Sequence, residues 1–93
     1  MEVIVRFVGT FSTILNKKLT IKFGDPPNMQ KVIEKIVEDI PRIKKRLINL
    51  NLKELKTNAL ILLNEREIST LNGLETILKN GDEIIFIPIS HGG

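Results

Sequence analysis

The chain has 93 residues, 42% hydrophobic and 27% charged, a balance that suits one globular domain with one core and excludes a disordered chain. It has no cysteine, which excludes disulfides, thiolate metal sites and a cysteine nucleophile, and its single histidine, His91, leaves no imidazole cage or catalytic triad. The net charge of +3 is too mild to argue by itself for nucleic acid or a membrane surface.

The N-terminus opens on a strand-like alternation rather than a basic leader, and no apolar run approaches membrane-spanning length, so a cytoplasmic location is expected. Residues 3–8 and 18–23 read as strands. In the second, Leu19, Ile21 and Phe23 alternate with Lys18, Thr20 and Lys22, the period-two pattern of a sheet with one wet face. The connection between them is long for a tight hairpin, and Asn16 suits a left-handed turn position within it. A helix follows, with Asn28 as its N-cap. Met29, Val32, Ile33, Ile36, Val37 and Ile40 form a one-sided apolar stripe, and Pro41 ends or kinks the helix.

Residues 42–57 read as a short helix followed by an irregular segment. The cluster Arg42, Lys44, Lys45 and Arg46 is interleaved with Ile43 and Leu47 at helical spacing, the pattern of a solvated helix face. No stacking aromatics accompany it, which argues against nucleic-acid recognition. Residues 58–64 form a buried strand, 64–67 a polar turn, and Ile68 falls in a short edge strand. A turn at 79–83 precedes the last strand, 84–89.

Strand, strand, helix, strand, short strand, strand implies an α+β fold: a mixed four- to five-stranded sheet packed on one main helix, first and last strands side by side at its centre. That is the ubiquitin-like β-grasp arrangement, expected over residues 1–89, with 90–93 as a fraying tail. In the last strand Ile84, Phe86 and Pro88 point one way and Ile85, Ile87 and Ile89 the other. One set faces the helix. The other lies on the open face, where it serves for docking, is covered by 42–57, or is buried on both sides. Phe7 and Phe11 are both candidates for this surface, with core placement the safer assignment for Phe7.

The stretch from Ile61 to Gly93 resembles the C-terminal third of the MoaD/ThiS sulfur-carrier family and the ubiquitin-related modifiers close to it. The shared pattern is a strand ending in Asn64, Leu74 with Leu78, Gly81-Asp82, the apolar strand Ile84 to Ile89, and the final Gly92-Gly93. The first strand and its following loop are similar as well. Molybdopterin-pathway members end in Pro-Pro-Val-x-Gly-Gly; this chain keeps Pro88 and places His91 before the glycines, as the eukaryotic modifier does. It also lacks those members' Arg-Glu pair in the first loop, where Ser12 and Thr13 stand.

The resemblance implies that the Gly93 carboxylate is adenylated by a ubiquitin-activating-type enzyme, which consumes ATP, and then becomes a thiocarboxylate. Gly93 supplies the reacting carbon. Gly92, His91, Ser90, Pro88 and Phe86 meet the partner, and no cofactor is held stably. Two residues without Cβ make the thinnest backbone for a narrow channel. With Gly at about 7% of residues, a chance Gly-Gly end arises in roughly one chain in 200. The sulfur is expected to go to molybdopterin, with the chain as small subunit of molybdopterin synthase beside its large subunit. Alternatively it serves tRNA thiolation, or the chain is joined through Gly93 to target lysines as a modifier. The carrier contributes no acid or base of its own. His91 either hydrogen-bonds the partner's channel or is a plain exposed tail residue.

Overall fold

A computed structural model describes residues 1–13, 18–44, 48–51, 56–57 and 59–89. Strand β1 (Glu2–Phe7) buries every second residue, Val3, Val5 and Phe7, and pairs antiparallel with β2 (Leu19–Lys22), Val3 opposite Ile21. Helix α1 (Met29–Asp39) then crosses one face of the sheet. Its stripe behaves as its spacing requires: Met29, Val32, Ile33 and Ile36 are fully buried, and Val37 and Ile40 pack on the edge of the core.

Both ends of the helix follow local chemistry. The Asn28 side chain accepts the Lys31 backbone N–H at 2.9 Å, satisfying one orphan donor of the first turn. Met29 N–H donates to the Thr76 carbonyl and Leu78 N–H to the Pro27 carbonyl, each at 2.9 Å, which ties the helix start to the segment before the last strand. At the other end Ile40 adopts φ −131° and ψ 74°, because the ring of Pro41 disfavours helical geometry in the residue before it.

Residues 42–57 depart from expectation. Pro41–Ile43 form a single 3-10 turn that buries Ile43, and Ile48–Asn51 (β3) pairs antiparallel with Lys56–Thr57 (β4) as a separate two-stranded sheet. The departure lies in the stretch expected to be irregular, where two short runs pair; Pro41–Ile43 and Lys44 are helical, and 45–47 lie outside the described residues. Arg42 and Lys44 are exposed; Lys45 and Arg46 lie outside the described residues.

The chain next enters β5 (Ala59–Leu63), turns into the two-residue β6 (Arg66–Glu67), and ends in β7 (Glu83–Pro88). The main sheet has the order β2-β1-β7-β5-β6. Strands β1 and β7 run parallel at the centre, Val5 beside Ile84 and Phe7 beside Phe86, while β5 flanks β7 antiparallel. This is the β-grasp, five-stranded, with one main helix. Ile84 and Phe86 are the inward set of β7. They meet Val5, Phe7, Ile61 and Leu63 of the neighbouring strands beneath the helix.

Two placements correct the sequence reading. Ile68 is not in an edge strand: β6 stops at Glu67, the chain curls into a 3-10 turn, and Ile68 becomes core at 2% exposure. The Thr70 hydroxyl donates to the Glu67 carbonyl and Leu71 N–H to the Ile68 carbonyl, holding that curl. Phe11 is likewise buried, packed edge-on to Phe7 with ring centroids 6.3 Å apart, because the turn after β1 folds it back over the end of the core.

The β5–β6 hairpin carries a local conflict. Its two loop residues, Asn64 and Glu65, have φ of 49° and 71°, the type I′ geometry that matches strand twist. Asn tolerates the left-handed region; Glu does not. Replacing Glu65 by Gly is expected to stabilise the domain by about 0.5–1 kcal/mol, the relieved strain exceeding the extra chain entropy of glycine. Tm would rise by roughly 3–6 °C in a calorimetric scan. An unchanged or lower Tm would show that Glu65 is not strained.

Candidate functional site

Strand β7 carries the chain across the sheet to Pro88. Its last residue, Pro88, lies opposite Ala59 of β5 on one side and reaches the turn after β1 on the other. That turn, Gly9–Thr13, is held closely. Val8 N–H donates to the Phe86 carbonyl at 3.2 Å, Phe11 N–H to the Val8 carbonyl at 3.3 Å, and the Ser12 hydroxyl to the Gly9 carbonyl at 2.8 Å. Three elements therefore converge where the described residues end.

The surface around this exit is apolar. Val8 is 37% and Ile89 43% exposed, and Ile87 beside them is half-buried. In the sheet register Leu60 lies opposite Ile87 and Leu62 opposite Ile85. Since alternate residues of β5 and β7 are core, these four form a stripe on the face away from α1. Arg6, beside Ile85, is the one cation placed centrally on it among the described residues. Its Nε lies 3.2 Å from a Glu83 carboxylate oxygen yet makes no hydrogen bond, so the contact is Coulombic and, at the surface, weak. Beside the stripe a groove of about 210 Å³ runs between β5 and the Ile68 turn, with Leu60, Ile61, Ile68 and Ile89 among its walls.

The residues expected to meet a partner divide sharply. Pro88 is half-buried at the exit. Phe86 is fully buried, stacked on Phe7 at 5.3 Å, and has no surface to offer; as an inward residue of the central strand it belongs to the core, which corrects its assignment. Ser90, His91, Gly92 and Gly93 lie outside the described residues. Gly9, Val8 and Leu60 were not singled out from sequence. The signal for Gly9 was a glycine directly after an apolar run; for Leu60 there was none, because 59–63 is apolar throughout.

The Asn64 and Gly81-Asp82 part of the motif behind the resemblance proves structural. Asn64 Nδ2 donates to Asp82 Oδ1 at 2.9 Å, Asn64 Oδ1 accepts Glu83 N–H at 3.0 Å, and Asp82 Oδ2 accepts Lys79 N–H at 2.7 Å. Gly81, at φ 86°, donates to the Glu2 carbonyl at 2.8 Å. These contacts clamp β1, β5 and β7 together at the end of β7 opposite the exit. Among the described residues no group of three His, Cys, Asp or Glu side chains is placed to hold a metal ion, and no helix is long and apolar enough to cross a membrane.

A family model described as Urm1 (Ubiquitin related modifier) matches residues 2–93. The chain belongs to the ubiquitin-related modifier family. A relative, small archaeal modifier protein 3 of Haloferax volcanii, is 29% identical over 94 residues, covering all of both chains. A Haloferax volcanii protein solved in solution superposes with a TM-score of 0.81 at 28% identity, over 100% of this chain and 87% of that one. A chain of the complex between subunits 1 and 2 of molybdopterin-converting factor from Helicobacter pylori superposes with a TM-score of 0.60 at 29% identity, over the full length of both. Membership of the ubiquitin-related modifier family makes this a ubiquitin-like protein of the small-modifier and sulfur-carrier class.

Proposed function

We propose that the chain is a sulfur carrier activated at the Gly93 carboxyl and delivering sulfur in molybdopterin biosynthesis as the small subunit of the synthase. One observation carries the reading: the family match, over residues 2–93, runs through the Gly92-Gly93 end. The Gly93 carboxylate attacks the α-phosphorus of ATP in the active site of an adenylating enzyme of ubiquitin-activating type and expels pyrophosphate. A hydrosulfide equivalent then adds to the acyl carbon and expels AMP, leaving a thiocarboxylate. Adenylation turns a carboxylate oxygen into part of a good leaving group, and glycine leaves the acyl carbon unhindered. The stripe of Leu60, Leu62, Ile85 and Ile87 supplies area for docking. Similarity to a chain of the Helicobacter pylori complex supports molybdopterin synthase as the destination.

A second reading, conjugation through Gly93 to target lysines, is favoured by the ubiquitin-related modifier match and the Haloferax volcanii relative. Both readings need the same activated carboxyl, so one measurement comes first. Incubated with ATP, the cognate adenylating enzyme and a sulfide donor, the full chain should gain the mass of one oxygen exchanged for sulfur. Deleting Gly92-Gly93 should abolish the gain. No exchange, under conditions that charge a known carrier, would overturn the sulfur-carrier reading. Higher-mass conjugates in cells that vanish with the same deletion would establish the second.

A further inference from the structure

Gly9 combines a backbone requirement with a steric one. Its φ is 61°, a region that side-chain-bearing residues rarely adopt, and a Cβ there would stand 2.9 Å from Pro88 Cγ and 3.1 Å from Cδ. The first distance is shorter than real Cβ contacts allow. Most side chains met this way would rotate aside. Proline has far less room to do so: its ring is closed onto its own backbone nitrogen, which fixes φ and leaves only a change of ring pucker. A push on Cγ is therefore a push on the backbone of the last residue of β7.

The seat on which Pro88 rests is itself anchored. Val8 N–H is bonded to the Phe86 carbonyl, the Ser12 hydroxyl closes on the Gly9 carbonyl, and Phe11 is buried beneath the turn. The turn has core behind it and β7 in front, so an added Cβ displaces Pro88 rather than the turn.

We propose that Gly9 is a positioning residue for carboxyl activation: by leaving room for the Pro88 ring against the first turn, it sets where the chain leaves the sheet. The proposal rests on the Gly93 activation argued above. A partner that holds both the sheet face and the Gly93 carboxyl spans a distance whose one end is fixed by Pro88. Moving that point leaves the docking stripe unchanged but misaligns the carboxyl with ATP. The effect belongs in the rate of the bound complex, not in its formation.

The test is ATP–pyrophosphate exchange by the cognate adenylating enzyme with the full chain as substrate, for the wild type, G9A, P88A and G9A/P88A, together with thermal melts. G9A should lower kcat roughly ten- to a hundredfold while KM for the carrier stays within about twofold. The double variant lacks Cγ and Cδ at residue 88 and should recover much of the loss, whereas P88A alone should show a smaller fall, since the exit is no longer rigid. A kcat for G9A within about twofold of the wild type, a KM that rises as kcat falls, or no recovery in the double variant would overturn the proposal. If G9A does not fold, P88A carries the test, and an unchanged kcat there is fatal to it. A wild-type chain that supports no exchange would instead remove the Gly93 reading on which this rests.

Discussion

Phe86→Ala is expected to destabilise the domain by about 3–5 kcal/mol, the range for emptying an aromatic site in a packed core. Phe86 has no solvent exposure, stacks on Phe7 with an interplanar angle of 16°, and sits on the strand flanked by β1 and β5. Its neighbours are held by sheet hydrogen bonds and cannot collapse far into the space. For a domain whose total stability is of order 5–15 kcal/mol, that is a large share. Tm should fall by roughly 15–30 °C. Urea melts should show a lower midpoint at unchanged m, because the surface exposed on unfolding hardly alters. Phe86→Leu, which keeps much of the volume, should cost about 1–1.5 kcal/mol. A loss below about 1 kcal/mol for the alanine variant would mean that the side chain is not in the core, and its assignment to partner binding would return.

The second large effect is expected at Asn64. Replacing it by Ala should cost about 2–2.5 kcal/mol from two sources. The residue sits at φ 49°, which Ala adopts at a penalty of roughly 1 kcal/mol. The side chain also bonds Asp82 Oδ1 and the Glu83 N–H, and with both bonds solvent-exposed their joint share is about 1–1.5 kcal/mol. Asn64→Gly separates the two, since it relieves the backbone and loses only the hydrogen bonds. Calorimetry should therefore order the proteins wild type, Asn64→Gly, Asn64→Ala. A cycle with Asp82→Ala should give a coupling of about 0.5–1 kcal/mol. Independent, additive losses would show that the Asn64–Asp82 contact does not hold the sheet end together. Activation of the carboxyl should survive in either single variant at temperatures where it remains folded, because this clamp and the chain exit lie at opposite ends of β7.

That separation explains why the same residues read differently in the sequence and in the fold. Asn64, Gly81 and Asp82 looked like part of a functional signature. They are a structural staple that holds three strands of distant sequence in one register. Gly92 and Gly93, to which the proposed activation assigns the chemistry, were legible because of what glycine permits at a reacting carboxyl, and they lie outside the described residues. Phe86 was the reverse case. Every residue of 84–89 is apolar, so the period-two pattern offers no contrast by which to tell the inner set from the outer.

By itself the sequence determined the parts whose causes are local. The helix follows from its 3.6-residue stripe, its start from the Asn28 cap, its end from Pro41, and β2 from its alternation of Leu19, Ile21 and their lysine neighbours. The order of elements then implied the grasp, with first and last strands adjacent. Tertiary structure alone decided what depends on partners far along the chain. It decided that Phe86 and Phe11 are core, that Ile68 turns inward, that β3 finds β4, and that Gly9 lies under Pro88. The physical reason is common to all of them. Periodicity says that a segment has two faces, but burial is settled by which distant surface arrives to cover one of them, and a Cβ is forbidden only where a residue 79 positions away occupies its place.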